Sequence, residues 1–307
     1  MQKKLKLLFL LTALGVLIVQ VSLLLKDNNF GILSPKGLIA SQQKDLIIFT
    51  VLLSLVVVVP VFIMVFLFAH KYNEKNTGAK YTPDWDNNKV LETIWWGVPI
   101  LLIFILSVVT FKSSHDLDPF KHINAAAKPL KVQVVALQWK WLFIYPEYDV
   151  ASLNYLKIPT NRPLEFEITS DAPMNSFWIP QLGGQIYAMS GMSTQLNLLA
   201  DKPGEYRGSS ANLSGKGFAG MNFMVSAVSD MDFVQWAQDL SDGTNHKDLT
   251  TAVYEELTKP SENSPVGFYH LHEPKMYHDT VMKYMQPAND ENSSEHGLMI
   301  KNYNEAH

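Results

Sequence analysis

The stretch Gly208-Ser-Ser-Ala-Asn-Leu-Ser-Gly-Lys-Gly-Phe-Ala-Gly-Met221 is small, polar and glycine-rich, and it leads into the run Phe223-Met-Val-Ser-Ala-Val228. Glycines at 215 and 217 are turn chemistry, whereas 223–228 reads as a strand. The same grammar repeats upstream. Leu130-Lys-Val-Gln-Val-Val-Ala-Leu137, Leu164-Glu-Phe-Glu-Ile-Thr169 and Gln195-Leu-Asn-Leu-Leu199 read as strands. Clusters at Pro159 to Pro163, Gly183-Gly184 and Pro203-Gly204 separate them. Short strands with frequent turns over about 100 residues predict an all-β sandwich, here residues 125–228. No internal repeat is visible.

Downstream, the period changes at Ser229. Ser229 and Asp232 have capping-box spacing, and Phe233, Trp236, Ala237 and Leu240 follow at i, i+3, i+4, i+7. This predicts an amphipathic helix. Leu249 to Leu257 predicts a second. Residues 229–307 are therefore expected to form a short helical, partly flexible acidic extension, with weak order at its extreme end.

Upstream, three apolar runs lack charge: Leu7 to Leu25, Leu46 to Ala69 and Thr93 to Phe111. A helix needs about 20 apolar residues to cross roughly 30 Å of hydrocarbon, so each is long enough. Residues 45–112 are expected to form a transmembrane hairpin. The first run, within residues 1–26, reads either as an anchor helix or as a secretory signal. Lys3, Lys4 and Lys6, with Lys71, Lys75, Lys80 and Lys89, put the chain start and the loop between the later runs in the cytoplasm. Everything after residue 112 then lies outside. Pro60 and Pro99 fall inside the spans, where neighbouring helices can tolerate them. Trp95 and Trp96 lie near the cytoplasmic end of the third run, as interfacial aromatics do.

Composition agrees. Hydrophobic residues make up 47% and charged residues 18%, against about 25% charged in soluble domains. This rules out a disordered chain. Residues 113–228 carry nine bases and nine acids, and residues 229–307 carry five bases and 14 acids. Without a basic stripe, nucleic-acid binding has no electrostatic support. Cysteine is absent, which excludes a disulfide framework, a thiolate metal site, a cysteine nucleophile and a lipoprotein acyl anchor.

With Met174-Asn-Ser-Phe-Trp-Ile-Pro180 upstream of residues 208–221, the sequence resembles subunit II of the haem-copper respiratory oxidases. The resemblance covers nearly the whole chain and implies two membrane helices followed by an outer cupredoxin-like sandwich. In the cytochrome c oxidases of that family the sandwich holds a dinuclear copper centre. Its signature is a His before Ser-Phe/Trp, then C-x-E-x-C-x-x-x-H-x-x-M. Here the His positions carry Asn175 and Phe218, the Cys positions Ser210 and Ser214, the Glu position Asn212, and the Met position Met221. The frame is kept and the ligands are gone. Electron-transfer copper wants thiolate and imidazole, and neither Cys nor His occurs between residues 123 and 245.

The chain therefore looks like the quinol-oxidising branch, of the cytochrome bo type. Gln138 to Glu147, Asn175 to Ala188, Ser214 to Phe223 and Leu33-Ser-Pro-Lys-Gly37 carry that likeness. It implies a non-redox subunit with no cofactor of its own, in a proton-pumping complex that oxidises quinol and reduces oxygen to water. Haems and copper belong to subunit I, which with the other oxidase subunits and membrane lipid would be its partners. Quinol acts at the level of the complex, and cytochrome c is no partner. The expected place is the bacterial inner membrane. Ubiquinol and menaquinol both remain open, as does a membrane-anchored cupredoxin-like binding or assembly protein without oxidase activity.

The resemblance also assigns Glu92 to the mouth of a proton-uptake path; the alternative is an acid placed favourably at a helix N-terminus. Ser210 and Ser214 are expected to be turn hydroxyls bonding local backbone. Trp139 and Trp141 are expected to pack against subunit I, and Met174, Met189, Met192 and Met221 to fill the vacated pocket or the nearby core. His270, His272 and His278 cluster in the tail without a supporting carboxylate pattern. His115 and His122 follow the third run.

Overall fold

A computed structural model describes residues 31–285, except 75, 77, 79–86, 126 and 243–245. The first apolar run, most of the lysine-bearing loop and the last part of the acidic tail lie outside the described residues. The remainder divides into a helical unit, Ser41–Lys121, and a sandwich unit that takes in residues 31–40 and everything from His122.

The helical unit is built from α1 (Leu38–Lys71) and α2 (Lys89–Asp116), which run unbroken through Pro60 and Pro99. Their 34 and 28 residues give about 51 and 42 Å at about 1.5 Å per residue, enough to cross the hydrocarbon. Large apolar side chains stand exposed along both, including Phe66 (67%), Phe104 (65%) and Phe111 (70%). A helix apolar on every side requires lipid or partner protein around it. The chain is a membrane protein with an outer domain.

Two sheets form the sandwich. One has seven strands: β1 (Leu130–Leu137), β2 (Lys140–Tyr145), β3 (Val150–Leu153), β5 (Leu164–Ser170), β8 (Thr194–Leu198), β11 (Lys247–Leu249) and β12 (Gly267–Leu271), in the order β11-β12-β3-β2-β1-β5-β8. The other has five: β4 (Tyr155–Pro159), β6 (Asn175–Trp178), β7 (Ile186–Ala188), β9 (Gly204–Ser210) and β10 (Asn222–Val228), in the order β4-β10-β9-β6-β7. Between them lie Trp141, Phe143, Tyr145, Phe166, Phe177 and Phe223. Phe177 and Phe223 stack at 5.3 Å, and Trp141 meets both edge-on. Such rings add about 0.5–1.5 kcal/mol per pair beyond their burial.

β2 is buried on both faces. Trp141, Phe143 and Tyr145 point into the sandwich, while Leu142 and Ile144 point into a second core with Leu249, Tyr254, Leu271, Met276 and Tyr277. That second core is built by the expected helical extension together with two strands that the sequence did not indicate. The two helices exist as α3 (Asp230–Ser241) and α4 (Thr251–Thr258), and Ser229 caps α3 by accepting from the Asp232 amide at 3.1 Å. The same segment also adds β11 and β12 to the larger sheet, then α5 (Met276–Met282). Leu249, expected to begin a helix, ends β11. The polar composition after Pro260 hid β12, whose residues are only half-buried up to Leu271.

The segment before α1 belongs to the sandwich. The Lys36 amide donates to the Gln181 carbonyl at 2.8 Å, and Gly37 bridges to Ala200. A Cβ at Gly37 would lie 2.4 Å from the Leu199 carbonyl oxygen, so only glycine fits this approach.

Candidate functional site

Asn175, Ser210 and the loop that carries Asn212, Ser214 and Phe218 lie together at one end of the five-stranded sheet. β6 and β9 pair antiparallel with Phe177 opposite Ser210, which brings Asn175 beside the loop 211–221 between β9 and β10. Ser210 Oγ donates to Asn175 Oδ1 at 3.0 Å across 35 residues of sequence. Asn175 Nδ2 donates to the Pro173 carbonyl at 2.7 Å, and Asn212 Nδ2 to the Met174 carbonyl at 2.9 Å. The loop is thus closed by amide and hydroxyl hydrogen bonds that link Asn175 with Ser210 and Asn212 with Met174.

This donor set does not fit copper. Neutral amide and hydroxyl groups are hard, weak donors, and Ser210 and Asn175 already spend theirs on each other. Phe218 opens a short 3-10 turn and has no lone pair to give. Met221 alone offers sulfur, and it is buried in the sandwich core.

Each expectation for this region can be placed. Ser210 does bond a local carbonyl, that of Asn212 at 3.3 Å, but its shorter bond is to Asn175. Ser214 departs from the expectation: its hydroxyl is buried and has no hydrogen-bond partner among the described residues. Of the four methionines, Met221 is buried and Met189 half-buried, but Met174 (43%) and Met192 (50%) are exposed. Asn175 and Ser210 reach each other directly, and Met221 takes a place in the nearby core, one of the two expected for it.

Of the two tryptophans, Trp141 departs from the expectation. Trp141 is wholly buried inside the sandwich and has no surface to offer a partner. Trp139, half-buried, sits at the two-residue turn joining β1 to β2 with φ +62°. Left-handed backbone costs a bulky residue on the order of 1–2 kcal/mol. The indole N–H offsets part of it by donating to the Ser214 carbonyl at 3.0 Å, and the ring covers Gly215 and Gly217. A Cβ at Gly217 would fall 2.3 Å from that ring, which accounts for the glycine. Trp139 clamps the former ligand loop from the opposite sheet.

A second polar constellation begins four residues before Asn175. The Asp171 side chain is 2% exposed. It accepts from Tyr254 Oη at 3.0 Å, from Tyr284 Oη at 2.5 Å, and from Lys283 Nζ at 2.9 and 3.2 Å. Thr280 Oγ1 in turn donates to the Met276 carbonyl at 2.8 Å and lies 3.0 Å from Tyr254 Oη. Burial beside this carboxylate pushes the Tyr254 and Tyr284 hydroxyls above the ordinary tyrosine range, so both stay protonated donors. This latch holds the C-terminal segment on the sandwich. Sequence reasoning missed it, and the only local signal for it is the pair Lys283-Tyr284, which follows α5 directly.

Glu92 sits in the first turn of α2, half-buried, behind Asn88. Asn88 Oδ1 accepts from the Val90 and Leu91 amides at 3.0 and 3.1 Å. Of the tail histidines, His270 on β12 faces Asp248 on β11 at 3.3 Å. Among the described residues, no three His, Asp or Glu side chains converge as a metal would require.

Two family models match. Residues 150–228 fit the cytochrome c oxidase subunit II periplasmic domain, and residues 245–288 fit an aromatic-rich motif of the same oxidases. The chain is 47% identical over 270 residues to subunit 2 of the cytochrome bo(3) ubiquinol oxidase of Pseudomonas putida, covering 88% of this chain and 85% of that one. It is 47% identical over 265 residues to the ubiquinol oxidase subunit 2 of Acetobacter aceti, covering 86% and 85%. Among solved structures, the periplasmic domain of cytochrome oxidase subunit II from Bradyrhizobium japonicum aligns with 38% of this chain and 96% of its own. Its identity is 23% and its TM-score 0.35.

Proposed function

The chain belongs to the subunit II family of the ubiquinol oxidases, and from that premise we propose that it serves its complex without carrying an electron. It is a subunit of an oxidoreductase that uses quinol. The observation that carries the non-redox reading is the Ser210–Asn175 hydrogen bond inside a frame with no thiolate or imidazole. With no one-electron port on this subunit, cytochrome c has nowhere to deliver. Electrons then enter the complex from membrane quinol, and the names of the 47% relatives favour ubiquinol.

On this reading, haems and the remaining copper reside in a polytopic partner, subunit I, which reduces oxygen to water. The hairpin α1–α2 beds into the bacterial inner membrane against that partner, and the sandwich caps it from outside. Glu92 gathers protons at the cytoplasmic end of α2 for the pump. A carboxylate at a membrane edge is suited to this, since intramembrane and near-membrane ionisable groups mark proton routes. Its value as a helix-terminal acid alone would be at most about 1 kcal/mol.

The test is purification of the full chain with its native partners. A haem-bearing polytopic subunit should copurify, quinol should drive oxygen uptake, and reduced cytochrome c should not. A chain that purifies without haem would instead be a freestanding binding or assembly protein. For Glu92, E92Q should slow proton-coupled turnover severalfold with haem content and subunit ratio unchanged. Unchanged turnover would reduce Glu92 to a helix-terminal acid.

A further inference from the structure

The hairpin carries a pocket at the end from which the chain runs on into the sandwich. Its volume is about 610 Å³, within the range of small-ligand sites. The lining is graded along the helix axes. Leu46 of α1 and Val109 of α2 form the deep side, towards the middle of the spans. Asp45 of α1, and Lys112 and Asp116 of α2 with Lys121 beyond it, form the rim. Val109 and Asp116 differ by seven residues, about 10 Å along a helix, so one pocket reaches from hydrocarbon depth to the polar headgroup layer.

The rim charges do not all pair with one another. Lys121 Nζ contacts Asp116 Oδ1 at 3.2 Å. Asp45 and Lys112 have no hydrogen-bond or ion-pair partner among the described residues, although they line the same pocket from opposite helices. The pocket therefore presents one unpaired anion and one unpaired cation above an apolar floor. A basic pocket would suit an anionic lipid. Two aspartates make this one different: an anionic headgroup placed at Lys112 would face Asp45 and Asp116 as well.

We propose that this pocket holds one zwitterionic aminophospholipid, with its phosphate at Lys112, its ammonium at Asp45 and its acyl chains running down past Leu46 and Val109. The inference goes beyond the oxidase role and needs only that the hairpin spans a bilayer.

The complex purified into nanodiscs of equal phosphatidylethanolamine and phosphatidylglycerol provides the test, with bound lipid read by native mass spectrometry. One phosphatidylethanolamine should be retained per chain, at about fivefold or more over phosphatidylglycerol after correction for bulk composition. In D45N/K112Q that preference should disappear while subunit ratio and haem content stay unchanged. D45K should turn the preference towards phosphatidylglycerol, a reversal that loss of structure would not produce. A photo-crosslinker replacing Val109 should capture lipid. Equal retention of both lipids in the wild type overturns the proposal. So does capture at position 109 of a peptide, whether from residues 1–30 or from a partner subunit. If a variant does not assemble, the wild-type competition and the crosslink still decide. Loss of oxidase activity with lipid preference intact would count against the oxidase reading alone.

Discussion

Two polar constellations flank the same short loop of the sandwich and are built on opposite principles. At Asn175 the groups are neutral: one amide–hydroxyl bond to Ser210, an unpartnered hydroxyl on Ser214, and no charge. At Asp171 the centre is a buried carboxylate that receives two tyrosine hydroxyls and an ammonium. The neutral groups at Asn175 are held weakly, since a neutral hydrogen bond nets about 1 kcal/mol. Bonds to a charged group are worth about 1.5–3 kcal/mol each. The stronger polar centre at this end of the domain is thus the attachment of the C-terminal segment rather than the loop 211–221.

The largest expected effect follows at the latch. D171A removes the shared acceptor of Tyr254, Lys283 and Tyr284. Lys283 is half exposed and contributes little, but the tyrosines should cost about 3 kcal/mol together. In a domain of this size that is roughly 6–12 °C of Tm, measurable by tryptophan fluorescence of the detergent-solubilised chain. A change below about 2 °C would make the latch an incidental contact. Next comes S210A, which leaves Asn175 Oδ1 without the Ser210 donor. The cost should be about 1–2 kcal/mol, smaller than for D171A. If S210A proved the more damaging, the two sites would have to exchange roles.

The sites also differed in how far sequence revealed them. The cradle was legible because its positions keep a fixed local spacing: a twelve-residue frame from Ser210 to Met221, with Asn175 upstream. The latch was not, because Asp171 meets Tyr254 and Tyr284 across 83 and 113 residues, and no local period encodes such a meeting. Strands divided the same way. β1 and β5 alternate because one face of each is more buried than the other. β2 shows no alternation because it has a core on either side. β9 carries a single large apolar residue, Tyr206, and its Gly208 is required because the Phe223 ring fills the space of a Cβ, 2.1 Å away. With so little apolar alternation, residues 204–210 give no strand signal in the sequence, although they form β9.

Charge supplies a third contrast. Glu273 accepts from the Thr251 amide at 3.0 Å and from its hydroxyl at 2.7 Å, holding the start of α4. These bonds hold its pKa below the usual carboxylate value. Its contribution is therefore present above the unfolded value near 4.5 and is lost as pH falls through the lower folded value. E273Q should flatten the Tm-against-pH curve below about pH 5. The neutral cradle should add no such slope, so S210A should leave the shape of the curve unchanged. A slope altered by S210A would mean that a titrating group reaches the cradle.

The smallest effect belongs to S214A. A buried hydroxyl without a partner carries its desolvation cost with no bond to offset it, and replacing it with a methyl group removes that cost. Trp139 holds this loop through the Ser214 carbonyl, which alanine retains. The variant should therefore be neutral or gain up to about 1 kcal/mol, a Tm rise of no more than about 4 °C. A loss of several degrees would show that the hydroxyl does bind something, and an ordered water bridging it to a neighbouring polar group is the candidate such a site admits. In that event the cradle would not be weakly held, and its neutral groups would form a satisfied network comparable to the latch.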